Sequence, residues 1–287
     1  MGREDARPGL SALHMDSDYA RFQREGWERV ATKYDAAWGG LTRPFIDDLL
    51  NDAHVARGQR VLDVACGPGY VTAAARDRGA EATGIDFSEE MIRVAQSRNP
   101  DIDFRVGDAQ ALAFDARQFD AVVINFGVLH LSNPAAGLAE ARRVLRPGGT
   151  FAFTVWAAPE DSAGARLVDS AIRAHADLNV PVPKGPDSLA FGNPDACRPA
   201  LADAGFEPAS VTFRTVTHGW RVPAASFIFE AERDAGVRTA ALLARQTPDV
   251  LRAIEKALQA GMREFASVPG YLVPYTAHVI AARARNL

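Results

Sequence analysis

Cysteine is nearly missing: Cys66 and Cys197 are the two in 287 residues. Neither belongs to a Cys-x-x-Cys pair, and no His/Cys cluster has metal-ligand spacing, so neither a disulfide scaffold nor a metal site is expected. Cys66 sits in a glycine-rich turn, where a small buried residue is the simple reading. An excess of positive charge is missing too. Lys and Arg number 32 against 36 Asp and Glu, a net charge of −4, which lacks the electrostatic footprint of a nucleic-acid binder. The local run Arg142, Arg143, Arg146 closes a predicted helix, where cations suit the dipole. No apolar stretch approaches the roughly 18 residues of a membrane span. The opening residues are polar and acidic without an apolar leader core, and Ala6 occupies the position where a myristoylation signal after Gly2 needs Ser or Thr. A cytoplasmic protein with no membrane insertion is expected. Repeats, low-complexity tracts and an interdomain linker are also missing, so residues 1–287 read as one domain. Its oligomeric state, monomer or homodimer, stays open.

What is present is a core-forming composition, 47% apolar, organised around Val61-Leu-Asp-Val-Ala-Cys-Gly-Pro-Gly-Tyr-Val-Thr72. Arg60 to Val64 reads as a short buried strand, and Val71 to Arg78 as a helix. Glycines at 67 and 69 allow a sharp turn and close approach of a ligand. The helix behind the turn offers free N–H groups and the positive end of its dipole. A dinucleotide site requires Gly-x-Gly-x-x-Gly; here the third glycine is Thr72. Asp63, at the strand end, would repel a pyrophosphate and attract an ammonium or sulfonium.

The rest of the chain alternates strand and helix. Ala82 to Ile85 is a second strand ending in Asp86, 17 residues after Gly69, near the spacing at which an acid meets ribose hydroxyls. Ser88 is a natural N-cap for the helix carrying Met91. Ile102 to Val106 is a third strand, followed by Gly107-Asp108-Ala109; Asp108 could accept from an exocyclic amine. Phe119 to Phe126 is a fourth strand, apolar enough to be buried on both faces. Pro134 to Leu145 is helical, Arg146-Pro-Gly-Gly149 ends that helix, and Thr150 to Trp156 is a fifth strand. This is an α/β pattern: a doubly wound, mostly parallel sheet with ligands at the strand C-termini. Before it, residues 1–16 read as an irregular arm. Asp18 to Ala37, and a helix from Thr42 to about Ala53, form an aromatic-rich segment (17–55) suited to a lid. After it come a helix from Asp161 to Ala176, a Pro-rich stretch to Pro186, and a helix capped by Asn193 and ended by Gly205. A strand from Val211 to Val222 follows, then mostly helix from Pro223 to Ala266 broken near Thr247-Pro248, and a last strand from Leu272 to Ala282. Segments 157–190 and 223–266 are expected to cap a substrate.

These motifs in combination resemble the class I S-adenosylmethionine-dependent methyltransferases, in particular the small-molecule group that includes the quinone-ring methyltransferases. The resemblance runs from about Trp27 to Phe206. It rests on Val61 to Gly69, Gly84-Ile-Asp-Phe-Ser-Glu-Glu-Met91, Gly107-Asp-Ala-Gln110 and Leu145-Arg-Pro-Gly-Gly149, with Trp27-x6-Tyr34-Asp35 and Phe191-Gly-x-Pro194…Ala204-Gly-Phe206 in support. It implies a Rossmann-like sheet of seven strands, the last antiparallel, and S-adenosyl-L-methionine as cofactor. Asp63, Gly67 and Gly69 would surround the methionine end, and Asp86 would hold the ribose. Phe87 and Met91 would pack near the adenine, with Asp108 and Ala109 reading its edge. The Asn125 backbone carbonyl would help hold the methionine amine, and Tyr34 would close the site. After strand four the chain has Asn125-Phe-Gly-Val128 instead of the Asn/Asp-Pro-Pro-Tyr of family members that methylate exocyclic amines, and the Asp/Asp/Asn set of the metal-dependent catechol methyltransferases is not evident.

The implied chemistry is attack by an O, N or C nucleophile of a small, apolar or aromatic molecule on a sulfonium methyl. The protein then has to align the reactants and exclude water. His130, just past strand four on the substrate rim, is the candidate general base; a merely packed histidine is the alternative. Two rival functions stand beside this one: an NAD(P)-dependent oxidoreductase on a related sheet, and a non-catalytic S-adenosylmethionine-binding protein of the same fold.

Overall fold

The computed structural model describes residues 17–286. The irregular arm expected over residues 1–16 lies outside the described residues.

Seven strands form one sheet: β1 (Arg60–Val64), β2 (Glu81–Asp86), β3 (Asp103–Val106), β4 (Phe119–Asn125), β5 (Leu145–Trp156), β6 (Thr212–Val222) and β7 (Tyr271–Arg283). Their order is β3-β2-β1-β4-β5-β7-β6. The first five are parallel, and β7 runs antiparallel to both β5 and β6. The strand order reverses between β1 and β4, which opens a crevice at their C-terminal ends.

Alternation of side chains explains both faces of the sheet. Leu62, Val64, Val122, Ile124, Phe151 and Phe153 pack into one cluster with Leu138, Val144 and Leu201. Those partners come from α6 (Pro134–Val144) and α8 (Pro194–Asp203). The intervening Val61, Ala121, Val123 and Ala152 face Leu49, Leu50, Val71 and Ala75, from α3 (Ile46–Asp52) and α4 (Tyr70–Asp77). One face is therefore built of large side chains and the other of small ones, so α3 and α4 can approach the sheet closely.

Helix starts follow their capping residues. Ser17 accepts from the Ala20 amide at the head of α1 (Asp18–Val30), and Ser88 from the Met91 amide at 3.1 Å at the head of α5 (Glu89–Arg98). Asn133, Asn193 and Thr247, each followed by proline, cap α6, α8 and α11 (Pro248–Gly261).

Three sequence boundaries shift. The helix expected to Ala37 stops as α1 at Val30 and continues as a 3₁₀ turn and a π-helical turn, Asp35–Gly39. The wider turn turns Asp35 toward Tyr70 and Arg98 and Trp38 toward the Ala235 carbonyl. The next helix is likewise split into α2 (Gly40–Thr42), a 3₁₀ turn and α3. Finally, β5 starts at Leu145 instead of Thr150. Leu145 pairs with Phe119, but Thr150 pairs with Ala121, so residues 146–149 form a bulge. Ala284 ties the bulge to the end of β7: Gly148 N–H donates to its carbonyl and Gly149 C=O accepts from its amide, at 3.1 and 2.8 Å.

Beyond β5, α7 (Ala163–His175), α9 (Phe227–Ala235), α10 (Arg238–Leu243) and α11 pack together through Ala171, Phe229, Leu243, Ile254 and Leu258. They meet the end of β6 and the start of β7 through Trp220, Val222, Val273 and Tyr275. Because β7 is antiparallel, its first residues lie at the same edge of the sheet as the last residues of β1, β2 and β4. No helix among the described residues is long and apolar enough to cross a membrane.

Candidate active site

A cavity of about 540 Å³ opens at that edge. Tyr34, Asp63, Gly67, Asp86, Phe87, Met91, Asp108, Ala109, Asn125 and His130 all line it. Residues separated by almost a hundred positions are thus brought together by the strand C-termini.

Asp63, the last residue but one of β1, is 1% exposed. The Thr72 hydroxyl donates to its Oδ2 at 2.6 Å, so the threonine in place of a third glycine has a partner. Its Oδ1 is buried and has no hydrogen-bond partner among the described residues. Burial, with the nearby Asp86 charge adding to it, pushes Asp63 up to about 7. Asp86 accepts from Gly67 N–H at its Oδ2 and from Ser88 N–H at its Oδ1, both at 2.9 Å. Burial still holds it up at about 6. Asp86 thereby ties the glycine turn to the head of α5.

The two glycines do different things. Gly67 has φ +50°, and a Cβ built on it meets nothing within 4 Å. Its free side faces the cavity, where a ligand can come against the backbone. Gly69 was expected beside the ligand but is absent from the lining. Its φ is +82°, and a Cβ there would stand 2.7 Å from the Phe104 ring and 3.1 Å from Ala95. Glycine at 69 is needed for the turn and for packing against β3 and α5.

The other tips are equally built. Asp108 accepts from the Gln110 amide at 2.8 Å, and Gln110 Oε1 accepts from Ser132 Oγ and Asn133 N–H at 3.0 and 2.6 Å, which ties the loop after β3 to the loop after β4. Asn125 Oδ1 accepts from Thr154 Oγ1 at 2.7 Å, and Thr154 Oγ1 accepts in turn from Phe126 N–H at 2.8 Å. This leaves the Asn125 side chain committed to the fold. Tyr34 donates to Thr42 Oγ1 at 3.4 Å and packs 6.0 Å from Trp27. His130 lies edge-on to Trp27, centroids 4.9 Å apart. Burial drives His130 down to about 4, so the imidazole is neutral in the ordinary pH range.

The wall is aromatic. Phe126 stacks on Trp156 at 3.8 Å, Trp38 donates to the Ala235 carbonyl at 2.9 Å, and both tryptophans, with Tyr275, line the cavity. Trp156, Tyr275 and Glu232 were not among the residues singled out from sequence. For Glu232 a signal existed: it falls four residues after Ile228 and three before Ala235, both buried, so a carboxyl occupies an apolar-face position of α9.

Residues 62–153 match the family model described as a methyltransferase domain. A demethylmenaquinone methyltransferase of Paenarthrobacter aurescens is 32% identical over 206 residues, covering 67% of this chain and 81% of that protein. The chain belongs to the class I S-adenosylmethionine-dependent methyltransferases. A demethylmenaquinone methyltransferase of Renibacterium salmoninarum is 39% identical over 137 residues, 46% of this chain and 58% of that protein, so that alignment spans little more than half of the relative. The solved structure of phosphoethanolamine N-methyltransferase 2 from Haemonchus contortus, in complex with S-adenosyl-L-methionine, covers 92% of this methyltransferase and 60% of its own chain. Its TM-score is 0.54 at 16% identity, a likeness of fold. The family's cofactor, S-adenosyl-L-methionine, carries an ammonium, ribose hydroxyls and an adenine. The residues present fit it: a buried carboxylate oxygen on Asp63 without a partner among the described residues, a second carboxylate on Asp86, and an open backbone cradle at Gly67.

Proposed function

We propose that this methyltransferase transfers a methyl group from S-adenosyl-L-methionine to a small, mostly apolar aromatic acceptor, with the quinone ring named in the demethylmenaquinone relatives as the leading candidate. The observation that carries the cofactor half is the buried Asp63 Oδ1 without a partner. A lone carboxylate oxygen in a dry site is costly unless a cation or donor meets it, and an amino-acid ammonium supplies both. A pyrophosphate would be repelled there, which disfavours the NAD(P) reading.

In this reading Asp63 and the Asn125 carbonyl hold the ammonium, and Gly67 lets the backbone close on the carboxylate end. Asp86 accepts from the ribose hydroxyls. Phe87 and Met91 flank the adenine while Asp108 and Ala109 meet its edge. When bound, the cofactor supplies an electrophilic methyl on a sulfonium. The protein's own contribution is alignment, dryness and a base. Alignment can lower the barrier by roughly 7–11 kcal/mol. Residues 17–55 act as a lid, with Tyr34 and Trp27 excluding water, and segments 157–190 and 223–266 cap the acceptor. Burial keeps His130 neutral and also weakens it as a base; in a general-base role, for which the bound acceptor has to raise its value toward the working pH, it would contribute roughly 10²–10⁴-fold.

Calorimetry with S-adenosylhomocysteine tests the cofactor half: binding to the wild type and its loss in Asp86→Ala support it, and indifference of both proteins to the compound sinks it. Incubation with methyl-labelled cofactor and a panel of reduced quinones, phenols and amines tests the acceptor half, because label must appear in a ring-bearing product.

A further inference from the structure

Glu232 is a carboxyl that the cofactor scheme leaves unused. It lies on α9 and lines the same cavity as the strand-tip acids. Ile228 and Ala235, on the same helical face, are buried, and Trp38 clamps the end of this helix through the Ala235 carbonyl at 2.9 Å. Among the described residues no Lys, Arg or His forms an ion pair with Glu232. Its polar neighbour is the Thr239 hydroxyl, and burial pushes it up to about 7. Arg238, which also lines the cavity, reaches instead to the Pro183 carbonyl at 3.4 Å. Tyr275 stands in the field of Glu232: burial, and secondly the Glu232 charge, hold its phenol far above the ordinary value. Its ring is fixed against Trp156 and Trp220, at 5.9 and 5.7 Å.

A carboxyl without a cation in an aromatic wall destabilises the fold compared with an apolar side chain of the same size. Its surroundings suit a neutral planar ligand with one hydrogen-bond donor. We propose that Glu232 is a substrate-positioning and specificity residue, whose carboxylate accepts a hydrogen bond from a hydroxyl on the aromatic acceptor and so sets which ring edge faces the strand tips. This rests on reading the cavity as a methyl-transfer site. A ring hydroxyl meets the carboxyl in either of its protonation states, whereas an ammonium requires it ionised throughout. Apolar rings lacking a hydroxyl leave the carboxyl unsatisfied and are discriminated against for that reason.

The test uses 2-naphthol, naphthalene and 1-naphthylmethylamine as probes, with S-adenosylhomocysteine present, followed by quenching of tryptophan fluorescence from pH 5.5 to 8. The wild type should bind 2-naphthol about tenfold more tightly at pH 8 than at pH 5.5, because a hydrogen bond to an ionised acceptor is the stronger one. Naphthalene binding should not tighten over the same range and should weaken as the carboxyl it covers ionises. Glu232→Gln should flatten the 2-naphthol profile, and Glu232→Asp should restore the slope. The titratable and polar groups that share the cavity with Glu232 are Tyr275 on β7, Asp169 on α7, and Arg238 and Thr239 on α10. On α9 itself lie Glu230, Arg233 and Asp234, with Glu255 on α11 acting on Arg233 and Lys33 acting on Asp234. All of them, and Asp63 and Asp86 at the cofactor end, are retained in Glu232→Gln, so the difference between the two proteins isolates position 232. A profile unchanged by Glu232→Gln, 2-naphthol binding no tighter than naphthalene, no 2-naphthol binding, or a preference for the amine would each overturn the proposal. S-adenosylhomocysteine affinity should be equal in wild type and Glu232→Gln. If the wild type itself fails to bind that compound, it is the methyl-transfer reading that falls.

Discussion

Replacing Asp63 by Asn should stabilise the ligand-free protein in alkaline solution while removing its affinity for the cofactor. The ordinary aspartate value of 3.8 rises to about 7 at Asp63. The sign follows from where the proton sits. Between those two values the folded protein holds a proton on Asp63 that the unfolded chain has released, so stability falls as pH rises through this window and the loss is complete above about 7. At about 1.36 kcal/mol per pKa unit the ionised group costs the fold about 4 kcal/mol. An amide reproduces the protonated acid, keeping an oxygen for Thr72 and leaving one atom unpartnered. Urea unfolding without ligand should therefore find Asp63→Asn within about 1 kcal/mol of wild type at pH 4.5 and more stable by about 2–4 kcal/mol at pH 8. Asp86, held up at about 6, titrates in the same window, and because its charge adds to the rise at Asp63, the difference between the two proteins includes the repulsion within that pair. Addition of S-adenosylhomocysteine should reverse the order at pH 8, because binding stabilises only the protein that retains the carboxylate. Parallel stability curves for the two proteins from pH 4.5 to 8 would refute the reasoning, since they would mean that Asp63 pays no desolvation cost.

Asp86→Ala should weaken S-adenosylhomocysteine binding by about 100-fold in calorimetry, through loss of hydrogen bonds to a charged acceptor. Gly69→Ala, at φ +82° with a Cβ 2.7 Å from the Phe104 ring, should destabilise the fold by about 2–4 kcal/mol in denaturant unfolding. Gly67→Ala should behave differently: its Cβ meets no protein atom, so cofactor affinity should fall more than backbone strain alone lowers stability. His130→Gln should lower kcat by about 10²–10³-fold with cofactor affinity unchanged, and an unaltered kcat would assign the ring to packing against Trp27.

The strand tips were legible because they rest on local rules. An apolar run, a glycine turn and an acid at fixed spacing specify a strand end beside a helix start, and Asp63, Asp86 and Asp108 fall where that grammar puts them. Gly69 shows where the local rule stops. A glycine in such a turn reads as ligand space, but whether its hydrogen faces a ligand or Phe104 depends on a strand 35 residues further on. The bulge at 146–149 was hidden for a related reason. Arg-Pro-Gly-Gly reads as a helix stop, and only the pairing of Leu145 with Phe119 makes it part of a strand. Glu232 sits among Glu230, Arg233 and Asp234, where another acid looks solvated; its inward direction shows in the spacing from Ile228 and Ala235, once helix α9 is known to be continuous.

The first helix is anchored in an unusual place. Glu28 on α1 accepts from Glu89 N–H and Glu90 N–H at 2.7 and 3.0 Å, filling the exposed amide end of α5 immediately after Asp86 and Ser88. Asp35, seven residues further along, is bound to Arg98 at the opposite end of α5, at 2.8 Å. Helix α5 thus holds the 28–35 segment from both of its ends. Moving α1 away from α5 would leave the Glu89 and Glu90 amides without their carboxylate acceptor, so the first helix doubles as the cap of the helix that follows Asp86.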